Sequence, residues 1–400
     1  MRPPIALRTT CSIFPLMQLN RQSWRWKFDS GNPEPPPPCS VWMRDAQAPC
    51  EGVDAFVSCE ERDEEGNGGN GMKHLLIDFD SKIPNLALMK ISAWAKLKGD
   101  DVYLNDDSIE PDVIWLSCIF TWNASKAKSA LALYRFRFPN AVIHYGGTGF
   151  DFFLPYGSPE WKKLPDEIEK TMPDYDLYED DRIVGFCQRG CDRKCQFCVV
   201  WRKEGRISEN EFHRLTEWVP PDRKKVLLLD NDIALADRKK HDLVLGDARD
   251  MGLKLSITQG YDIRKVFREP DRAQQLADYK PWSFTFRERM LYIAWDLPQY
   301  ETMVRRGIEY LLDAGFRSKE ITCYVLVGFN TKFDQDVYRV NDVLRNEYHV
   351  LAYVMPYNNR RDSQEINNLR RWANKRQLYA SMDFRDYNMH FRSKAMGVMK

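Results

Sequence analysis

The chain has 400 residues, with 59 Lys plus Arg against 58 Asp plus Glu, a net charge of +1. That balance offers no global field for nucleic acid or an anionic membrane. Ten cysteines in 400 residues are too few for a disulfide scaffold, and no apolar run approaches the ~20 residues of a membrane span, so the chain reads as a cytoplasmic protein with reduced thiols.

Residues 1–71 differ in composition from the rest. They contain the run Pro35 to Pro38, the acidic patch Glu60-Glu61-Arg62-Asp63-Glu64-Glu65 and the string Gly66-Asn67-Gly68-Gly69-Asn70-Gly71. Such a stretch buries too little apolar surface to fold alone and is expected to be a disordered extension. Its cysteines, Cys11, Cys39, Cys50 and Cys59, are irregularly spaced and read as free thiols. Pro3, Pro4 and Pro15 interrupt the first residues, so a secretory leader is not expected.

From Met72 the pattern turns to alternating strands and helices. Leu75–Phe79, Val102–Leu104, Val113–Ile119 and Ala141–Tyr145 read as strands, and Asn85–Leu97 and Ala124–Phe136 as helices. Val113–Ile119 is apolar almost throughout, as in a parallel strand buried on both faces. Residues 72–150 are therefore expected to form a small Rossmann-like parallel sheet ending in the turn Gly146-Gly147-Thr148-Gly149. His74 and His144 fall within strands and read as structural. Residues 151–181, rich in proline and acidic residues, read as a linker with room for one short helix.

From Arg182 the alternation becomes regular. Candidate strands are 183–186, 225–229, 254–258, 291–295, 321–327 and 350–355. Helical stretches lie near 233–250, 263–279, 298–314, 334–347 and 366–380. Six strand–helix units over residues 182–357 and a helical C-terminal segment over 358–400 complete the expected α/β organisation.

The loop after the first of these strands reads Gly185-Phe186-Cys187-Gln188-Arg189-Gly190-Cys191-Asp192-Arg193-Lys194-Cys195-Gln196-Phe197-Cys198. Clustered cysteines in a reducing compartment are metal ligands more often than disulfide partners. Three thiolates on one tight loop can hold three irons of a [4Fe–4S] cluster and leave the fourth open. A zinc site is the alternative, although zinc sites usually show two Cys/His pairs and no second pair lies nearby. Cys187 reads as a buried structural cysteine.

The spacing of Cys191, Cys195 and Cys198, with the aromatic Phe197 before the third, resembles the signature loop of the radical S-adenosylmethionine (SAM) enzymes. The resemblance implies a partial (β/α)6 barrel over 182–357, a [4Fe–4S] cluster on the three cysteines, and SAM bound at the open iron. It also implies reductive cleavage of SAM to methionine and a 5'-deoxyadenosyl radical, with electrons from a protein such as flavodoxin or ferredoxin. Residues 72–150 resemble a shortened cobalamin-binding-like domain of the kind found before many such barrels. Their loop Asp78-Phe79-Asp80-Ser81-Lys82-Ile83 lacks the family's cobalt-ligating histidine, which puts cobalamin in doubt.

In barrel folds the site lies at the C-terminal strand ends. By the resemblance, Asp230 and Asn231 stand where the family contacts the SAM amino group, Asp296 where it contacts the ribose, and Gly328 in the turn near adenine. Gln259, Asp262 and Arg264 line the third strand end. Each of Asp230, Asn231, Asp262 and Asp296 reads equally as a helix cap, and Arg264 as a partner of Asp262. The C-terminal basic residues Arg360, Arg361, Arg370, Arg371, Lys375 and Arg376, with Trp372 among them, leave RNA contact as a minor alternative to a solvated helix face. Three functions remain: a radical SAM enzyme of unknown substrate, a cobalamin-assisted radical methyltransferase or its RNA methylthiotransferase variant, and a non-catalytic iron–sulfur or zinc-binding structural protein.

Overall fold

Val113–Ser117 is buried at all five positions, as a strand covered on both faces must be. The structure, a computed structural model, describes residues 71–151, 164–209, 211–359 and 363–387. The extension read over 1–71 and its four cysteines lie outside the described residues, Gly71 excepted.

Four parallel strands form the first sheet: β1 (Lys73–Asp78), β2 (Asp101–Leu104), β3 (Val113–Ser117) and β4 (Val142–Gly146), in the order β2-β1-β3-β4. The period-two alternation of a strand sorts its apolar residues onto two faces. Leu75, Ile77, Ile114 and Leu116 pack against Ala127 and Leu131 of the helix Ala124–Arg137. Leu76, Val113 and Trp115 pack against Leu88 and Ile91 of the helix Leu86–Leu97, and against Ile168 of the one-turn helix Asp166–Glu169 in the linker. Fully burying each such side chain contributes about 1.5–3 kcal/mol. Asn85 starts the first helix by accepting from the backbone N–H of Ala87 and Leu88. His74 and His144 are structural, as expected: the Trp115 indole donates to Nδ1 of His74, whose Nε2 meets Asp100, and His144 stacks on Trp115 at 4.2 Å.

Six further parallel strands follow. β5 (Arg182–Gly185), β6 (Lys225–Leu228) and β7 (Lys254–Ile257) form one three-stranded sheet, and β8 (Leu291–Ala294), β9 (Ile321–Val327) and β10 (Leu351–Pro356) another. Tyr261 bridges in parallel to Ile293 between them, and its N–H donates to the Tyr292 carbonyl at 2.7 Å. The chain is thus an α/β protein built on parallel sheets. At the free edge of β10 the Asn374 side chain takes both backbone groups of Val354, which blunts that edge.

Several helices break where one was expected. The stretch 263–279 divides at Pro270, which lacks the N–H a continuous helix needs, into Ile263–Arg268 and Asp271–Tyr279. The stretch 334–347 begins as α-helix, Phe333–Val337, and continues as π-helix, Tyr338–Glu347. Trp372 is fully buried and donates to the Met382 carbonyl, so it presents no face for a base to stack on. Arg360 and Arg361 lie outside the described residues. Among the described residues no helix is long and apolar enough to cross a membrane.

Candidate cofactor site at the strand ends

The cysteine loop leaves β5 under tight backbone control. Gly185 must lack a side chain, because a Cβ there would sit 2.6 Å from the Trp218 ring. Beyond it, the N–H of Cys187 donates to Asp230 Oδ1 at 2.7 Å and the N–H of Gln188 to Oδ2 at 3.1 Å. The N–H of Gly190, a residue with φ of +92°, donates to Asn231 Oδ1 at 2.9 Å. Further on, Cys191 N–H reaches the Gly205 carbonyl, Cys198 N–H reaches the Cys195 carbonyl, and the Trp201 indole donates to that same Cys195 carbonyl.

Asp230 and Asn231 therefore cap no helix. Their side-chain oxygens are committed to the loop, and the capping role falls to Asp232, which accepts from Ala234 N–H. Burial pushes the Asp230 carboxyl up to about 7 against the pull of those two amides. Asp232 is pushed up to about 8 by burial and then by the charge of Asp262.

Cys191, Cys195 and Cys198 are half-buried and outside any disulfide, whereas Cys118, Cys187 and Cys323 are fully buried. Burial raises the Cys191 thiol to about 12 and also raises Cys195. Among the described residues no group of three His, Cys, Asp or Glu side chains is drawn together as a ready metal site. The donor set still suits an iron–sulfur cluster: three thiols accessible on one loop, which metal would bind with release of their protons.

At the end of β7, Asp262 caps the helix Ile263–Arg268 by accepting from Arg264 N–H, and also accepts from Arg264 Nε at 2.7 Å. Its other oxygen lies 2.5 Å from Nη2 of Arg193, in a close ion pair without hydrogen-bond geometry. Arg264 lies over the Tyr300 ring at 4.4 Å. The capping and pairing readings hold for Asp262 and Arg264, and both side chains are engaged within the protein. Gln259 is half-buried.

Asp296, after β8, behaves differently. The 3-10 turn Pro298–Tyr300 that follows has no side-chain cap. Asp296 makes no hydrogen bond or ion pair with any described residue, and burial pushes it up to about 6, opposed by Arg264 and Arg339. After β9, Gly328 takes φ of +76°, and its N–H donates to Asp336 Oδ2 and Thr331 Oγ1. Phe197 meets Phe329 edge-on at 5.4 Å, and Phe329 meets Tyr357 at 4.8 Å, so an aromatic row ties the cysteine loop to the ends of β9 and β10.

The sequence reading passed over Arg193, Asp336 and Arg339. Arg193 had a signal, as a charge inside the cysteine interval facing a strand-end acid. Asp336 and Arg339 had only a three-residue spacing shared with many surface helix pairs. The hollow lined by Asp176, Tyr178, Asp180, Asp181 and Arg223 lies before β5 and β6, at the opposite strand ends from the cysteine loop. No protein-family model matches the chain, and no curated protein matches it in sequence.

Proposed function

We propose that the chain is a radical SAM enzyme that binds a [4Fe–4S] cluster through Cys191, Cys195 and Cys198. The supporting observation is the set of three half-buried thiols on a loop whose backbone Asp230 and Asn231 hold from the neighbouring strand end. The order of six parallel strands, β5 to β10, favours the partial (β/α)6 barrel around it. The bound cluster would supply the electron that splits SAM into methionine and a 5'-deoxyadenosyl radical. The chain's own residues bind and orient. Asp296, free of internal partners, accepts from ribose hydroxyls. Gly328 takes the positive φ that the turn beside the adenine requires. The row Phe197, Phe329 and Tyr357 excludes water from the reacting end. A flavodoxin- or ferredoxin-type reductant fits the electron requirement.

Cobalamin does not fit the four-stranded domain. The loop after β1 has no histidine, and Asp80 is already taken by the N–H groups of Ile119 and Phe120 and by Asn123. A Cβ on Gly147 would lie 2.3 Å from the Cys118 carbonyl oxygen, and one on Gly149 equally close to the Cys118 sulfur. These glycines serve packing within the domain.

Anaerobic reconstitution with iron and sulfide, then SAM and dithionite with or without hydroxocobalamin, tests the proposal. Formation of 5'-deoxyadenosine without cobalamin is expected. Strict cobalamin dependence would favour the methyltransferase, and stoichiometric zinc with no SAM cleavage would favour a structural staple.

A further inference from the structure

Asp336 and Arg339 stand three residues apart where α-helix passes into π-helix after β9. Each side chain is only 1% exposed. Arg339 Nη2 donates to Asp336 Oδ1 and to the Leu326 carbonyl, both at 2.7 Å. Nη1 donates to the Trp295 carbonyl at 2.7 Å. Asp336 Oδ2 accepts from Gly328 N–H at 3.0 Å and from Thr331 Oγ1 at 3.1 Å. One ion pair therefore grips the residue before Asp296, the penultimate residue of β9 and the Gly328 turn.

Stability alone does not account for such a pair. Desolvating two charges costs several kcal/mol per ion, and well-packed apolar residues usually do as well or better. The pair does what apolar residues cannot: its four hydrogen bonds to other residues fix two neighbouring strand ends relative to each other. The π-helical segment spans ten residues, Tyr338–Glu347, and its second residue, Arg339, lies under both strand ends.

We infer that Asp336 and Arg339 are positioning residues that set the spacing between Asp296 and the Gly328 turn, and so the grip on SAM, without touching it. The inference rests on the SAM reading above. It separates two tasks: Asp230 and Asn231 shape the cysteine loop, while Asp336 and Arg339 shape the nucleoside end.

The test compares wild type with Arg339→Lys and with the double variant Asp336→Asn/Arg339→Met, which leaves no lone buried charge. Reconstituted proteins are assayed for iron and sulfide per chain, for SAM affinity by equilibrium dialysis, and, without ligand, for hydrogen exchange. Iron content should match wild type, SAM binding should weaken about tenfold or more as positioned groups drift, and Arg339→Lys should fall between. Exchange should quicken over 295–297 and 326–331 but not over 187–198. Thr331→Val, which removes one bond to Asp336 and one from Gly328 N–H, serves if the double variant fails to fold. A lower melting temperature with unchanged SAM affinity and unchanged local exchange would overturn the inference. Equal SAM binding by wild type and variants defeats this inference alone, whereas no binding by reconstituted wild type defeats the SAM reading and this inference with it.

Discussion

The carboxylate of Asp230 accepts from the backbone N–H of Cys187 at 2.7 Å across 43 residues of sequence. The bond links the start of the cysteine loop to the neighbouring strand end, and the second Asp230 oxygen takes the next amide. Asp230→Ala would strand two buried N–H groups, a loss of roughly 2 kcal/mol or more. Denaturant midpoints should fall accordingly, and iron uptake should fall further than in a surface control of equal stability. Unchanged iron uptake would remove Asp230 from any role in shaping the loop.

Cluster ligation divides the cysteines sharply. Cys191→Ala, Cys195→Ala and Cys198→Ala should each lose the reconstituted iron and sulfide, while Cys11→Ala, Cys39→Ala, Cys50→Ala and Cys59→Ala should keep them. Full iron in the Cys195 variant would sink the assignment. Cys187→Ala is a control for packing, since that thiol is fully buried.

Stability against pH should include two opposing terms, beside those of Asp232 and Asp296. His241 is fully buried beside the Tyr261 hydroxyl, and burial pulls it from 6.5 down to about 4. The unfolded chain then takes a proton that the folded chain refuses, so stability is lost as pH falls from about 6.5 to about 4. Asp230 runs the other way: raised from 3.8 to about 7, it keeps a proton the unfolded chain has released, so stability is lost as pH rises through that window. Each term is on the order of 3 kcal/mol. Relative to wild type without added iron, His241→Gln should lose more stability as pH rises from about 4.5 to about 6.5, and Asp230→Asn should lose less. Parallel urea curves for all three proteins would refute both assignments.

The ten strands among the described residues were legible because each is a short, largely apolar run between turn residues, and β9 matches its expected bounds, Ile321–Val327. The helix breaks were less so: Pro270 announces one, but the passage to π-helix after Val337 leaves no mark in composition. The cysteine loop was legible from spacing alone. The roles of Asp230 and Asn231 were not, because a carboxylate after a strand reads locally as a cap, while its partners here lie some 40 residues upstream. Trp372 misled in the opposite sense: basic neighbours suggested exposure, yet its ring packs against Tyr379 and Phe384.

Asp296 gives the sharpest separation of function from structure. It caps no helix, bonds to no described residue, and is raised from 3.8 to about 6 by burial. A folded carboxyl with a raised pKa destabilises once pH exceeds that of the unfolded group, and the full cost is present above about 6. Its size is about 1–3 kcal/mol for a half-buried group. Asp296→Asn should therefore be more stable than wild type at pH 8 and equal to it near pH 3.5. A cation or hydroxyl donor from a ligand would offset the cost by favouring the charged form, which is why a half-buried carboxylate with no hydrogen-bond partner in the fold points to a binding site rather than a scaffold. The same variant should bind SAM about tenfold more weakly, with unchanged iron content. Urea titrations at the two pH values and equilibrium dialysis with SAM measure the two halves. Lower stability of Asp296→Asn at pH 8 would show that the carboxylate has a partner in the fold, and unchanged SAM affinity would remove it from the site.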